Sequence, residues 1–164
     1  MTYASTTTLA AIRAKSPCAV GYTKLLAAFG KTAADNEPVD LLTVLNINGL
    51  DDAIWVLSHA MPDDRLARHF QAWCVEQVLH LFEIEHPDDM RVRRQMDMLR
   101  DDQASAQDRD TAQAAAQAAA QAAGSDAALR AGRDAAWAAG SAAARAAARA
   151  AQEAKLRAML EVPA

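Results

Sequence analysis

The sequence predicts an all-α fold, a multi-helix bundle ending in a long C-terminal alanine-rich antiparallel helical hairpin. Three observations carry that expectation. Apolar residues recur at three-and-four spacing in one segment after another, and no segment alternates convincingly with a period of two. Proline, glycine and aspartate fall where such helices would start and stop. From about residue 104 onward roughly half of the residues are alanine, the residue of highest helix propensity. Residues 1–103 therefore read as a mixed helical core and 104–164 as a hairpin packed on it, one cooperative domain of ordinary size.

Taken in order, residues 1–8 are small and polar and are expected to fray. Leu9–Lys15 is long enough for a short helix. Ser16-Pro17 places a cap before a proline, so a helix should begin there and run to Phe29, where Gly30 stops it. Lys31–Pro38 is a polar loop. Asp40 caps a short helix through Leu41, Leu42, Val44 and Leu45, and Asn46–Gly49 turns the chain. Leu50, Ala53, Ile54 and Leu57 form the inner stripe of the next helix, with Trp55 beside them. Pro62 opens a longer helix, about Asp63–Glu85. Its apolar arc of Leu66, Phe70, Trp73, Val75, Val78, Leu79, Leu81 and Phe82 is wide enough for a central, largely buried element. His86-Pro87-Asp88-Asp89 breaks it, and one of the two aspartates caps a helix over Met90–Arg100. Ala106–Ala123 follows, with Gln113, Gln117 and Gln121 marking its wet side. Gly124-Ser125 separates it from a last helix over Asp126–Leu160. On that helix Ala128, Gly132, Ala135, Ala139, Ala143, Ala146, Ala150 and Ala154 form a seam of small residues. Ala112, Ala115, Ala119 and Ala122 offer a matching one. Two such seams allow an interaxial distance near the short end of the ~8–10 Å range.

Composition narrows the function. Formal net charge is -4, from 17 Lys and Arg against 21 Asp and Glu. That balance gives no general reason to bind nucleic acid or an anionic membrane. The acidity is concentrated: residues 61–110 carry seven basic and twelve acidic residues, which makes the middle of the chain an acidic face. Cys18 and Cys74 fit neither a disulfide framework nor a zinc spacing, and Cys74 reads as a free buried thiol in a reducing cytoplasm. No stretch approaches a membrane span, and the N-terminus lacks the basic-then-apolar layout of a signal peptide.

Candidate chemistry is sparse. His69, Trp73, Glu76 and His80 share one helix face. The two histidines are three turns apart, about 16 Å along the axis, too far to hold one ion. The pairs Asp51-Asp52, Asp63-Asp64, Asp88-Asp89 and Asp101-Asp102 sit near helix ends, where aspartates cap and complement the dipole. No phosphate loop and no nucleophile elbow occurs. The expectation is a non-enzymatic protein with no metal and no cofactor.

Two stretches, read together, resemble a known family. One is Asp35-Asn36-Glu37-Pro38 through Leu41-Leu42-Thr43-Val44-Leu45, followed by Asn48-Gly49-Leu50-Asp51-Asp52-Ala53-Ile54-Trp55. The other is Trp73-Cys74-Val75-Glu76-Gln77-Val78-Leu79, then Phe82-Glu83 and His86-Pro87-Asp88-Asp89-Met90-Arg91-Val92-Arg93. With the alanine-rich helices behind them, they resemble the Imm5-like immunity proteins of bacteria and phages, over about residues 16–160. Val92 stands where that family commonly has proline. The resemblance implies a helical cytoplasmic protein that neutralises a toxin by stoichiometric binding. Its matching polar positions are Asp52, Glu76, Glu83, Asp88, Asp89, Arg91 and Arg93, among which Glu76 would pair with Arg91 or Arg93. The expected partner-binding set is Asp52, Glu83, Asp88, Asp89, Arg91, Arg93, Asp101 and Asp102. The acidic segment would steer a basic protein partner, such as a nuclease toxin. Two alternatives stand beside it: a phage-encoded inhibitor of a bacterial defence complex, in the manner of an anti-CRISPR, and a structural or oligomerising helical module. The sequence leaves a homodimer open.

Overall fold

A computed structural model describes residues 3–124 and 146–161. The described residues are mostly helical with two short strands. It divides into two compact units, one of Met1–Ala67 with Gln152–Ala164 and one of Arg68–Ala151. The dividing points are 67/68 and 151/152, whereas composition changes at residue 104.

The first unit begins with the sheet that periodicity did not reveal. β1 (Thr6–Thr8) pairs antiparallel with β2 (Pro38–Asp40), Thr7 opposite Val39. Residues 6–8 are thus a strand and not a frayed end. Three-residue strands are too short to show alternation, but a run of β-branched threonines suits a pleated ribbon. Buried Thr7 donates its hydroxyl to the Ala60 carbonyl, and Leu41 N–H donates to the Ser5 carbonyl at 2.8 Å. Thr8 then caps α1 (Leu9–Ala14), its Oγ1 accepting from Ala11 N–H at 3.0 Å.

Ser16 does not cap the next helix. It adopts φ 56°, in the left-handed region, and its N–H closes α1 on the Arg13 carbonyl. α2 therefore starts later, at Ala19, with Cys18 in the cap position and no side-chain bond there. It ends at Ala28 as expected. Gly30, at φ 64°, donates to the Ala27 carbonyl and Lys31 to that of Leu26, the paired bonds of a Schellman motif. Asp40 Oδ1 accepts from Leu42 N–H at 2.8 Å and starts α3 (Leu41–Asn48). The turn expected over Asn46–Gly49 contracts to Gly49 alone, whose φ of 89° lets α4 (Leu50–His59) begin directly. Leu9, Ile12, Leu25, Val39, Leu41, Val44, Leu45, Val56 and Leu57 make the core.

Residues 146–160 are helical (α8). Gln152–Ala164 belong to the first unit, and Leu156 and Met159 are buried. Arg157 donates to Asn46 Oδ1 at 2.6 Å across 111 residues of sequence. The small-residue seam behaves differently from expectation here, because Ala146, Ala150 and Ala154 are exposed. Burial goes to the larger aliphatic side chains, which remove more apolar area from water. Ala128, Gly132, Ala135, Ala139 and Ala143 lie outside the described residues.

The second unit is built from α5 (Arg65–Glu85, from Arg68 onward), α6 (Arg91–Arg100) and α7 (Ala106–Gly124). Ala72, Leu79, Met96 and Leu99 form its core with Val75 and Val92 packed against them. α7 opens on a reciprocal cap: Ser105 Oγ accepts from Asp108 N–H, and Asp108 Oδ2 accepts from the Ser105 hydroxyl at 2.6 Å. It packs on α6 through alanines. Ala116 and Ala119 are buried and Ala112 and Ala115 half-buried, while Gln113, Gln117 and Gln121 face water. α5 is less enclosed than its apolar arc suggested. Leu66, Phe70, Ala72 and Leu79 are buried, but Val78, Leu81 and Ile84 are exposed.

Candidate functional site

The partner-binding residues expected from sequence are distributed over both units. Asp52 belongs to the first and the other seven to the second. In the second unit α5 and α6 run antiparallel about the turn 86–90, so arginines of α6 come opposite carboxylates of α5. Arg93 makes a two-pronged pair with Glu83, both N–H···O distances 2.7 Å. Arg100 reaches Glu76 at 2.6 Å. Glu76 thus pairs with Arg100, not with Arg91 or Arg93: the antiparallel register sets residues 76 and 100 opposite each other, about two α5 turns from the Glu83–Arg93 pair. The Glu76 and Arg100 side chains are 45% and 41% exposed, so this is a surface pair and not an internal one.

Arg91 folds back on the turn. Its guanidinium donates to both Asp89 oxygens, at 2.8 Å and 2.5 Å, and its own N–H reaches Asp89 Oδ1. Met90, not Asp88 or Asp89, holds the cap position of α6, without a side-chain bond, and Asp89 meets the first helical N–H from one residue earlier. The Arg91 guanidinium holds the Asp89 carboxyl down to about 2, and Asp89 in turn raises Arg91. Glu83 raises Arg93 in the same way. At the other end of the hairpin Arg68 donates to the Leu99 carbonyl at 2.9 Å, one of the carbonyls that α6 leaves open. It also donates to Asp102, which His69 Nε2 approaches to 3.3 Å. Asp101 accepts from Gln103 N–H at 2.8 Å. Glu83, Asp89, Arg91, Arg93 and Asp102 are thereby engaged inside the unit. Asp88 is exposed, as is neighbouring Glu85, and neither is ion-paired among the described residues.

The first unit holds a cavity of about 260 Å³ that sequence reading missed. Ile12, Leu25, Val44 and Val56 supply apolar wall, with Trp55 and Cys18 beside them and Asn48, Asp51 and Asp52 as its carbonyl and carboxylate groups. Gly21 makes this arrangement fit: a Cβ there would lie 2.3 Å from Asp52 Oδ2. Asn48 Nδ2 donates to the Gly21 carbonyl at 2.8 Å and to Asp52 Oδ2 at 2.7 Å. Both neighbours are acceptors, so the amide has one orientation. Its Oδ1 is buried without a donor among the described residues, a state that costs about 1–3 kcal/mol. The available signal was Gly21 itself, a glycine inside a helical run, which marks a close approach.

Among the described residues no group of three or more His, Cys, Asp and Glu is placed to hold a metal ion. No described helix is long and apolar enough to cross a membrane. Compared with known proteins, the chain matches no family model, no curated protein and no solved structure.

Proposed function

We propose that this protein acts without catalysis as a stoichiometric binding protein, an immunity protein of the kind its resemblance to the Imm5-like family implies. It would occlude a basic protein partner such as a nuclease toxin. The observation that carries the reading is the apolar stripe on α5. Val78, Leu81 and Ile84 are 55%, 59% and 73% exposed, and the stripe runs to Glu85 at the end of α5 and to the turn that bears Asp88. An exposed aliphatic patch rimmed by charge is the usual mark of a protein-docking surface, and the acidic rim favours a basic partner. The Glu83–Arg93 and Glu76–Arg100 pairs stiffen the helix that presents it. In this reading Glu83, Asp89, Arg91, Arg93 and Asp102 position the surface, while Asp88 and Asp101 meet the partner. The antiparallel pairing of α7 with α8 as one hairpin belongs to the same proposal.

Affinity capture from the native host, with the wild-type chain and Leu81→Glu/Ile84→Glu as parallel baits, tests it. Support requires a basic protein that the wild type retains and the variant loses. That protein must also arrest growth when expressed alone, bind one-to-one, and be neutralised by co-expression of this chain. Association should slow as salt rises. A captured protein that is harmless overturns the immunity reading, and equal capture by the variant overturns the surface.

A further inference from the structure

We infer that the groove between α6 and α7 is a surface for self-association, and that its occupant is a second copy of this chain related by a two-fold axis. This rests on the second unit alone and on residues other than the α5 stripe. The groove measures about 640 Å³. One wall is an α6 stripe at i, i+4 and i+7: Arg94, Met98 and Asp101, the last in the C-cap position. α7 returns along α6 and supplies Asp108, Ala112 and Ala115. Arg94 is exposed and has no ion pair among the described residues. Asp101 and Asp108 are exposed too. They accept hydrogen bonds from Gln103 N–H and from Ser105, but among the described residues neither meets a cation. Arg91, at the Arg94 end, is already held by Asp89. The groove therefore has an unanswered cation at one end, unanswered carboxylates at the other, and the half-buried Met98 between them.

Charge decides the occupant. A basic surface would be drawn to Asp101 and Asp108 and repelled at Arg94, and an acidic one would meet the reverse. Arg94 and Asp101 are about 10 Å apart along the axis, with Met98 close to the midpoint. A surface of this pattern is its own complement after a half turn. Arg94 of each copy then meets Asp101 of the other, and Met98 crosses Met98. Ala112 and Ala115 take up little volume, so the α6 ridge of one copy can sit in the groove of the other, four helices side by side as in a bundle. Exposed ion pairs are individually weak and screened by salt, so the dimer is expected to depend on both concentration and ionic strength. This assignment gives Asp101 to a second copy and leaves Asp88 to the basic partner proposed above.

The test is sedimentation velocity of the full chain over a wide range of concentration, at low and at high salt. The expected result is a reversible monomer–dimer equilibrium that weakens as ionic strength passes about 0.1 M. Arg94→Glu and Asp101→Arg should each weaken self-association by about tenfold or more, because each turns two attractions across the axis into two repulsions. Mixed in equal amounts, the two variants should form a heterodimer with the affinity of the parent, since every facing pair is again of opposite sign. A variant that had merely lost its structure would not be rescued in this way. If Asp101→Arg does not fold, Met98→Glu takes its place: it sets like charges across the axis and must weaken the dimer as well. Leu81→Glu/Ile84→Glu should dimerise as the parent does, which separates this surface from the α5 stripe. A chain that stays monomeric at every concentration, a dimer indifferent to Arg94→Glu, folded variants that fail to rescue each other, or a dimer lost in the α5 variant overturns the inference.

Discussion

Leu9, Ile12, Leu25, Val39, Leu41, Val44, Leu45, Leu66 and Leu156, the largest fully buried side chains among the described residues, all belong to the unit of Met1–Ala67 and Gln152–Ala164. The unit of Arg68–Ala151 has a thinner interior of Ala72, Leu79, Met96 and Leu99, with alanines where α7 meets α6. What it has in abundance is arginine laid against carboxylate along α5 and α6. One chain thus stabilises its two halves by different means. Aliphatic burial is indifferent to salt and costs much to disturb. Exposed ion pairs are weak one by one and fade with ionic strength. The second unit leaves Val78, Leu81 and Ile84 in water without a deep core beneath them, and the first leaves Val20.

The largest effect expected is from the first interior. Leu41→Ala, at a site with no solvent exposure, should cost about 2–5 kcal/mol in urea unfolding. Leu99→Ala, at 8% exposure in the second unit, should fall near the low end of that range. Equal losses would erase the distinction. A smaller effect tests the cavity wall. Gly21→Ala should gain up to about 1 kcal/mol of helix propensity in an Asp52→Ala background. With Asp52 present that gain should vanish, because the new methyl displaces the carboxylate from Asn48. A double-mutant cycle reads the coupling directly.

The electrostatic tests are smaller still. Asp89 sits at about 2 in the folded chain against an ordinary 3.8, chiefly because of the Arg91 guanidinium. A depressed carboxyl contributes stability that is complete above the ordinary value and is lost as pH falls through the folded one. Asp89→Asn should therefore be less stable than the parent at neutral pH, with the two converging as pH falls from about 4 to about 2. Glu83→Gln should lower the melting temperature slightly, and the difference should shrink as ionic strength passes about 0.1 M. A salt-independent loss would mean that packing, not charge, holds that pair.

Local signals in the sequence carried far. Asp40 as a cap, Gly30 as a stop, the break at 86–89 and the glutamine stripe of α7 are each decided by a few neighbouring residues, and each lies where the spacing put it. What was not legible depends on partners far along the chain. β1 and β2 are three residues each and exist only because residues 6–8 and 38–40 meet. The partner of Glu76 depends on the register of two helices about a turn, and composition gave no way to choose Arg100. Within the acidic middle of the chain, read as one charged face, Glu76, Glu83, Asp89 and Asp102 instead meet arginines of the same segment. The cavity draws on residues from Ile12 to Val56, so no single helix displays it. Ser16 misled because its strained conformation ends one helix where its residue type suggested the start of the next.

The bond from Arg157 to Asn46 and the full burial of Leu156 bear on how the protein is made. On the ribosome, the segment that seals the first unit emerges only after residues 68–151 have been translated. At bacterial or eukaryotic elongation rates that is a delay of roughly 4–17 s. The part synthesised earliest is completed last, and in that interval the nascent chain shows the surface that Leu156 will cover to any chaperone within reach.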